Sequence, residues 1–196
     1  DCYCEFKWLY ENKLADQFYW HWIDSCEPFE DFEDYLLRYE KELEAILLDY
    51  MQSLERGELL PICHLNELVL YFLSDVARKG TVCEVEFNKD YDILGGDIYP
   101  CADLPLDWKS GTINEDGSCS FNGKNLARLT AYKSKLGCFG CGIHEYCGGR
   151  CPVEAISCGY ERLVQHCQLM RLHVAVVKES LPKLAGLLAE RKLNLQ

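Results

Sequence analysis

The stretch Cys138-Phe139-Gly140-Cys141-Gly142-Ile143-His144-Glu145-Tyr146-Cys147-Gly148-Gly149-Arg150-Cys151-Pro152 holds four cysteines at C-x2-C-x5-C-x3-C, with proline directly after the last. Working outward, Cys83 and Cys101 precede it in the spacing C-x12-G-x4-C, the glycine being Gly96. Cys167 follows it after a gap. Short fixed gaps between thiols let one turn of backbone present two sulfurs to a single centre. Gly140, Gly142, Gly148 and Gly149 permit the sharp backbone turns this needs and direct N–H groups toward sulfur.

Thirteen cysteines is a high count for 196 residues, and the number is odd. The chain starts at Asp1 with no methionine, basic segment or apolar h-region, so we expect no secretory signal and a piece of a longer protein. In a reducing, cytoplasmic compartment clustered thiols more often hold metal than form disulfides. Hydrophobic residues make up 48% of the chain, enough for a real core. The net charge of −12 repels phosphate backbones and anionic lipid, so neither nucleic acid nor membrane is an expected partner. No apolar run is long enough to span a bilayer.

Taken in order, residues 1–26 are rich in aromatic rings expected to be buried: Trp8, Tyr10, Phe18, Tyr19, Trp20 and Trp22. A long amphipathic helix is expected from about Pro28 to Gly57, with Phe32, Tyr35, Leu36, Tyr39, Leu43, Ile46, Leu47, Tyr50, Met51 and Leu54 as its stripe. A second helix is expected from His64 to Lys79, stopped by Gly80. Val82, Val85 and Phe87 then alternate with polar residues, and Gly95-Gly96 between short extended runs predicts a hairpin that returns Cys101 toward Cys83. Residues 102–125 read as an irregular loop, 125–136 as a short helix, and 160–192 as a helix kinked or restarted at Pro182. The fold class expected is mainly helical α+β, with a small β-hairpin and a cysteine-rich two-cluster knuckle closed by a C-terminal helix. Residues 1–80 form a helical segment and 81–196 a metal-binding domain.

Seven of the thiols suit two [4Fe–4S] clusters. In bacterial ferredoxin sequences the cysteine of the terminal C-x3-C-Pro ligates the neighbouring cluster. By that geometry Cys138, Cys141 and Cys147 hold the first cluster with Cys167, while Cys83, Cys101 and Cys151 hold the second. Arg150, between the two sets, places positive charge beside an anionic centre, which raises its potential. The second set has no obvious fourth ligand: Ala77 and its neighbours offer none. Cys63, Cys119 and Cys158 are candidates, and an open iron that takes a substrate thiol or amide is the alternative.

The order Cys83-x12-Gly96-x4-Cys101, then Cys138, Cys141, Cys147, Cys151 and Cys167, resembles the SPASM domain over roughly residues 81–170. This is the auxiliary-cluster domain of radical S-adenosylmethionine (SAM) enzymes that modify peptides and proteins, such as anaerobic sulfatase maturases and thioether-forming peptide maturases. The resemblance implies two [4Fe–4S] clusters used for electron transfer and substrate docking, a peptide or protein substrate, and a SAM-binding barrel in cis or in trans. The radical SAM signature C-x3-C-x2-C is absent from the chain, so SAM cleavage is not expected of this polypeptide alone. Two other readings compete. A structural zinc domain also uses paired thiolates, though the x5 and x3 gaps suit zinc less well. A disulfide-stapled interaction domain is disfavoured by compartment and by the odd thiol.

Overall fold

The computed structural model describes residues 2–20, 22, 26–74, 77, 78, 80, 81, 83–87, 91–123 and 128–193. It is a mainly helical α+β structure with one small antiparallel sheet. The chain divides into two compact units: residues 1–24, 28–76 and 165–196 form the first, and residues 25–27 and 77–164 the second. One of the boundaries between them falls near residue 77. The C-terminal stretch differs, because residues 165–196 group with the N-terminal helices and not with the cysteine-rich segment.

The first unit is a helical assembly. Helix α1 (Cys2–Glu11) buries Tyr3 and Phe6, whereas Trp8, Tyr10 and Tyr19, expected inside, are exposed. Helix α2 (Phe32–Glu55) begins one turn later than Pro28 suggested and carries Glu33 and Asp34 in its first turn, where carboxylates suit the helix dipole. Its buried side chains Leu43, Ile46, Leu47, Tyr50 and Leu54 fall at the predicted helical spacing. Gly57, in the left-handed region at φ 81°, closes the helix by donating to the Leu54 carbonyl at 2.9 Å. Helix α3 (Cys63–Ser74) buries Leu65, Leu68 and Val69; residues 75, 76 and 79 of the predicted span lie outside the described residues.

The last helix of the chain, α7 (Tyr160–Arg191), runs unbroken past Pro182, so the expected restart there does not occur. Its buried residues from Leu169 through Val177 and Leu184 to Leu188 recur along one stripe. That stripe belongs to the first unit. Polar pairs cross-link this unit: Tyr50 Oη donates to Asn66 Oδ1 at 2.6 Å, Tyr3 Oη donates to Asp49 at 2.6 Å, and Lys183 pairs with Glu55 at 3.1 Å. Gln165 bonds both the N–H and the carbonyl of Phe29.

The second unit is built from short elements. Strands β1 (Asp92–Leu94) and β2 (Asp97–Tyr99) pair antiparallel in the register Leu94↔Asp97. Gly95 and Gly96 form the two-residue turn between them, both at positive φ, as the hairpin requires. The loop expected over residues 102–125 instead contains a second hairpin. Strands β3 (Gly111–Ile113) and β4 (Cys119–Phe121) extend the sheet in the order β1-β2-β3-β4. Three-residue strands with one or two apolar side chains carry too little alternation to be read from sequence. Conversely, Val85–Phe87 forms a 3-10 turn and not a strand.

Three short helices follow: α4 (Tyr132–Lys135), α5 (His144–Cys147) and α6 (Pro152–Ser157). Pro152 opens α6 at a position where its missing N–H costs nothing. Val153 and Ile156 pack on a core of Val85, Leu104, Trp108 and Leu129. Ala155 joins a second core of Tyr132, Cys158 and Leu163. Helix α6 therefore holds the cysteine-bearing loops between two small apolar clusters.

Candidate metal centre

The knuckle starts where Gly137, left-handed at φ 66°, caps a 3-10 turn over Cys138–Gly140. Cys138 is buried, and the next side chain, Phe139, is 71% exposed with its ring edge-on to His144 at 5.1 Å. After α5 the backbone enters the left-handed region at three successive residues: Gly148 at φ 68°, Gly149 at 96° and Arg150 at 76°. Consecutive residues of this kind turn their N–H groups into a concavity that binds anions. Here the N–H groups of Gly149 and Arg150 both donate to the Cys147 thiol.

Burial pushes the Cys147 thiol up; the two N–H bonds and the Arg150 charge pull the other way, and the neighbouring Cys141 sulfur adds to the rise. Cys141 and Cys147, placed in one ligand set from sequence, are thus close enough for their charges to interact.

The tightness of this turn explains its glycines. A Cβ on Gly148 would run into the Gly80 carbonyl, and one on Gly149 would meet the Lys133 side chain at 2.7 Å. The segment before Cys83 is fastened to the same turn, because Arg78 N–H donates to the Glu145 carbonyl at 2.6 Å. The Arg78 guanidinium also lies over the Tyr146 ring at 5.7 Å.

Cys101 follows strand β2. Burial raises its thiol, the Asp103 N–H bond lowers it, and Asp103, Cys151 and Asp92 add negative charge around it. Cys151 is thus near enough to Cys101 for its charge to act on that thiol. Cys83 is exposed, with its sulfur 3.7 Å from Thr81 Oγ1. Cys167 lies on α7 within the first unit, while Cys138, Cys141 and Cys147 lie in the second. Among the described residues no group of three or more His, Cys, Asp or Glu side chains is gathered as a metal site.

The candidates for a fourth ligand separate clearly. Cys158 is bonded to Cys26 in a disulfide, with Cα atoms 4.5 Å apart, so it offers no thiolate in this state. This corrects the expectation that Cys158 could serve as the fourth ligand. Cys63 lies on α3 of the first unit, with its sulfur 4.0 Å from Gln17 Oε1. Cys119 is a free, exposed thiol at the start of the edge strand β4.

Arg150 is singled out by sequence, but its neighbours Glu154, Arg162 and Tyr132 are not. Arg150 is 4% exposed; its guanidinium pairs with Glu154 and donates to the Leu163 carbonyl at 3.3 Å. Arg162, also buried, reaches the same Glu154 carboxylate at 3.8 Å. Tyr132 Oη donates to the Gly149 carbonyl and braces the turn from below. The four-residue step from Arg150 to Glu154 was the available signal, although a helix begins only at Pro152.

Cys141 and the Arg150 charge both act on the Cys147 thiol, but the described residues do not gather a complete ligand set for a metal centre. The chain matches no family model, no curated protein and no solved structure. The likeness to auxiliary-cluster domains accordingly rests on the spacing of seven cysteines and one glycine.

Proposed function

We propose that this chain is the auxiliary-cluster domain of a radical SAM enzyme that modifies a peptide or protein. Cys138, Cys141, Cys147 and Cys167 would hold one [4Fe–4S] cluster, and Cys83, Cys101 and Cys151 the other. The observation that carries this reading is the order and spacing of seven cysteines and one glycine; the charge of Cys141 acting on Cys147, and of Cys151 on Cys101, is compatible with it. Once bound, the clusters supply one-electron transfer, or an open iron that takes a substrate atom. The chain's own part is to supply thiolates, fix their backbone turns and keep water from the buried sulfurs. A barrel that binds SAM, in cis or in trans, generates the radical, and the setting is cytoplasmic.

One reading competes through a specific observation. The Cys26–Cys158 bond is what a disulfide-stapled domain would show. Ten cysteines among the described residues nevertheless form no disulfide, so staples do not account for the thiol content. Anaerobic purification followed by iron, zinc and acid-labile sulfide analysis, with the visible spectrum, is the test. Iron and sulfide in similar amounts support the proposal. Zinc without iron turns it into a structural zinc domain, and absence of metal with few titratable thiols leaves the stapled domain.

A further inference from the structure

The two ends of the Cys26–Cys158 bond sit in unlike surroundings. Cys158 is buried in the apolar cluster of Tyr132, Ala155 and Leu163. Cys26 is exposed. It lies in residues 25–27, which group with the second unit although the chain on either side groups with the first. Cys158 is also the C-cap of α6, its N–H donating to the Glu154 carbonyl at 2.9 Å. Cys151 is the N-cap of the same helix. Six residues are too few for a helix that stands alone, so whatever holds its ends decides whether it forms. One of those ends is anchored by a covalent bond that a thiol can reach from solvent.

We propose that the Cys26–Cys158 bond is a redox latch: small-molecule thiols open it at Cys26, and opening loosens α6 while the rest of the second unit stays folded. The chemistry is directional. A small thiolate attacks the exposed Cys26 sulfur, because the apolar cluster shields the sulfur of Cys158. A mixed disulfide forms on Cys26, and Cys158 leaves as a thiolate that takes up a proton. A second small thiol then attacks the mixed disulfide. Two electrons thus pass from two thiols to the protein, and those thiols leave joined as their own disulfide. Protonation of Cys158 follows from its site, since apolar surroundings disfavour the charged form. A neutral thiol behaves as a small hydrophobe and stays in the cluster. What opening removes is the covalent anchor of residue 26 on the end of the helix. Exchange with a small-molecule disulfide closes the latch again, the two Cα atoms lying 4.5 Å apart, within reach of a bridge. The latch uses no metal, so it stands or falls apart from the iron–sulfur reading.

The experiment is hydrogen–deuterium exchange with mass spectrometry on the full chain, equilibrated with either reduced or oxidised glutathione. In reduced glutathione the amides of residues 152–158 should exchange several-fold faster, and those of the sheet, within residues 92–121, should not change. Cys26→Ser should match the reduced parent in both buffers. Brief alkylation of the reduced parent should mark Cys26 ahead of Cys158. Equal exchange over residues 152–158 in the two buffers overturns the proposal. Faster exchange across the whole second unit also overturns it, because that is the mark of a general staple. Cys158 alkylated as fast as Cys26 removes the direction of attack, and both alkylated in oxidised glutathione means that no bond forms; either result sinks the latch. If Cys26→Ser does not fold, the two buffers applied to the parent decide alone. Iron and sulfide contents of the same sample bear only on the iron–sulfur reading.

Discussion

The two units stand on different physics. The helical unit is held by long amphipathic helices whose buried leucines recur at helical spacing, the fully buried Leu43, Leu65 and Leu68 among them. The cysteine-rich unit has strands of three residues and helices of four to six, with two small apolar clusters. Elements that short do not persist on their own, because nucleating a helix costs more than one turn returns. Loop-to-loop hydrogen bonds, a disulfide, buried ion pairs and, on our proposal, bound clusters take the place of apolar area. A fold can be secured by its elements or by its cross-links, and this chain uses both strategies in separate units.

The sharpest way to break that comparison is to damage one unit and watch the other. Leu43→Ala should destabilise the helical unit by about 2–5 kcal/mol, since it empties a fully buried site. Urea unfolding followed by circular dichroism measures the loss, and the metal-to-protein ratio of the folded fraction should not change. In the other direction, Gly148→Ala forces a side chain onto a left-handed residue and against the Gly80 carbonyl. A cost of roughly 2–4 kcal/mol is expected from the combined strain and clash. Its signature should be lost metal or faster alkylation of Cys147, with helix content largely kept. Equal loss of helix signal in both variants would remove the distinction between the units.

A third test uses pH on the helical unit alone. His173 on α7 is buried, shares a hydrogen bond between its Nδ1 and Tyr39 Oη at 2.9 Å, and feels His64 nearby. Trp20 Nε1 in turn donates to Tyr39 Oη at 3.3 Å, so this polar chain is complete with a neutral imidazole. Burial first, and then His64, pulls His173 down to about 3 from an ordinary value of 6.5. The unfolded chain therefore binds this proton before the folded one. Stability should be intact above pH 6.5 and fall below it, by about 1.4 kcal/mol per pH unit as pH drops toward 3. His173→Gln should flatten that slope in thermal melts recorded between pH 7 and about 4. The smallest effect is expected from Glu55→Gln. Its ion pair with Lys183 is half exposed, and its loss should cost less than about 1 kcal/mol. A larger change in a melt at moderate salt would mean that surface charge matters more to this unit than its leucines suggest.

Legibility followed the same divide. The long helices were readable because ten or more residues share one period, and random agreement over that length is rare. Their ends shifted by a turn where caps and tertiary contacts decide. Gly95-Gly96 was readable because both turn residues need positive φ. The hairpin over residues 111–121 was not, since its strands are three residues long and β4 is wholly exposed. Of the two readings of Pro182, a kink or a restart, the restart does not occur, since α7 continues through it.

By itself the sequence determined the helical periodicity, the Gly-Gly hairpin, the grouping of cysteines and the α+β class, because each depends on residues close together in the chain. Only the tertiary structure decided that Cys158 joins Cys26 across 132 residues, that Arg150 and Arg162 converge on Glu154, and that residues 165–196 side with the N-terminal helices. Those outcomes depend on which distant surfaces meet. Loop closure makes such meetings only weakly dependent on separation, so spacing carries almost no record of them.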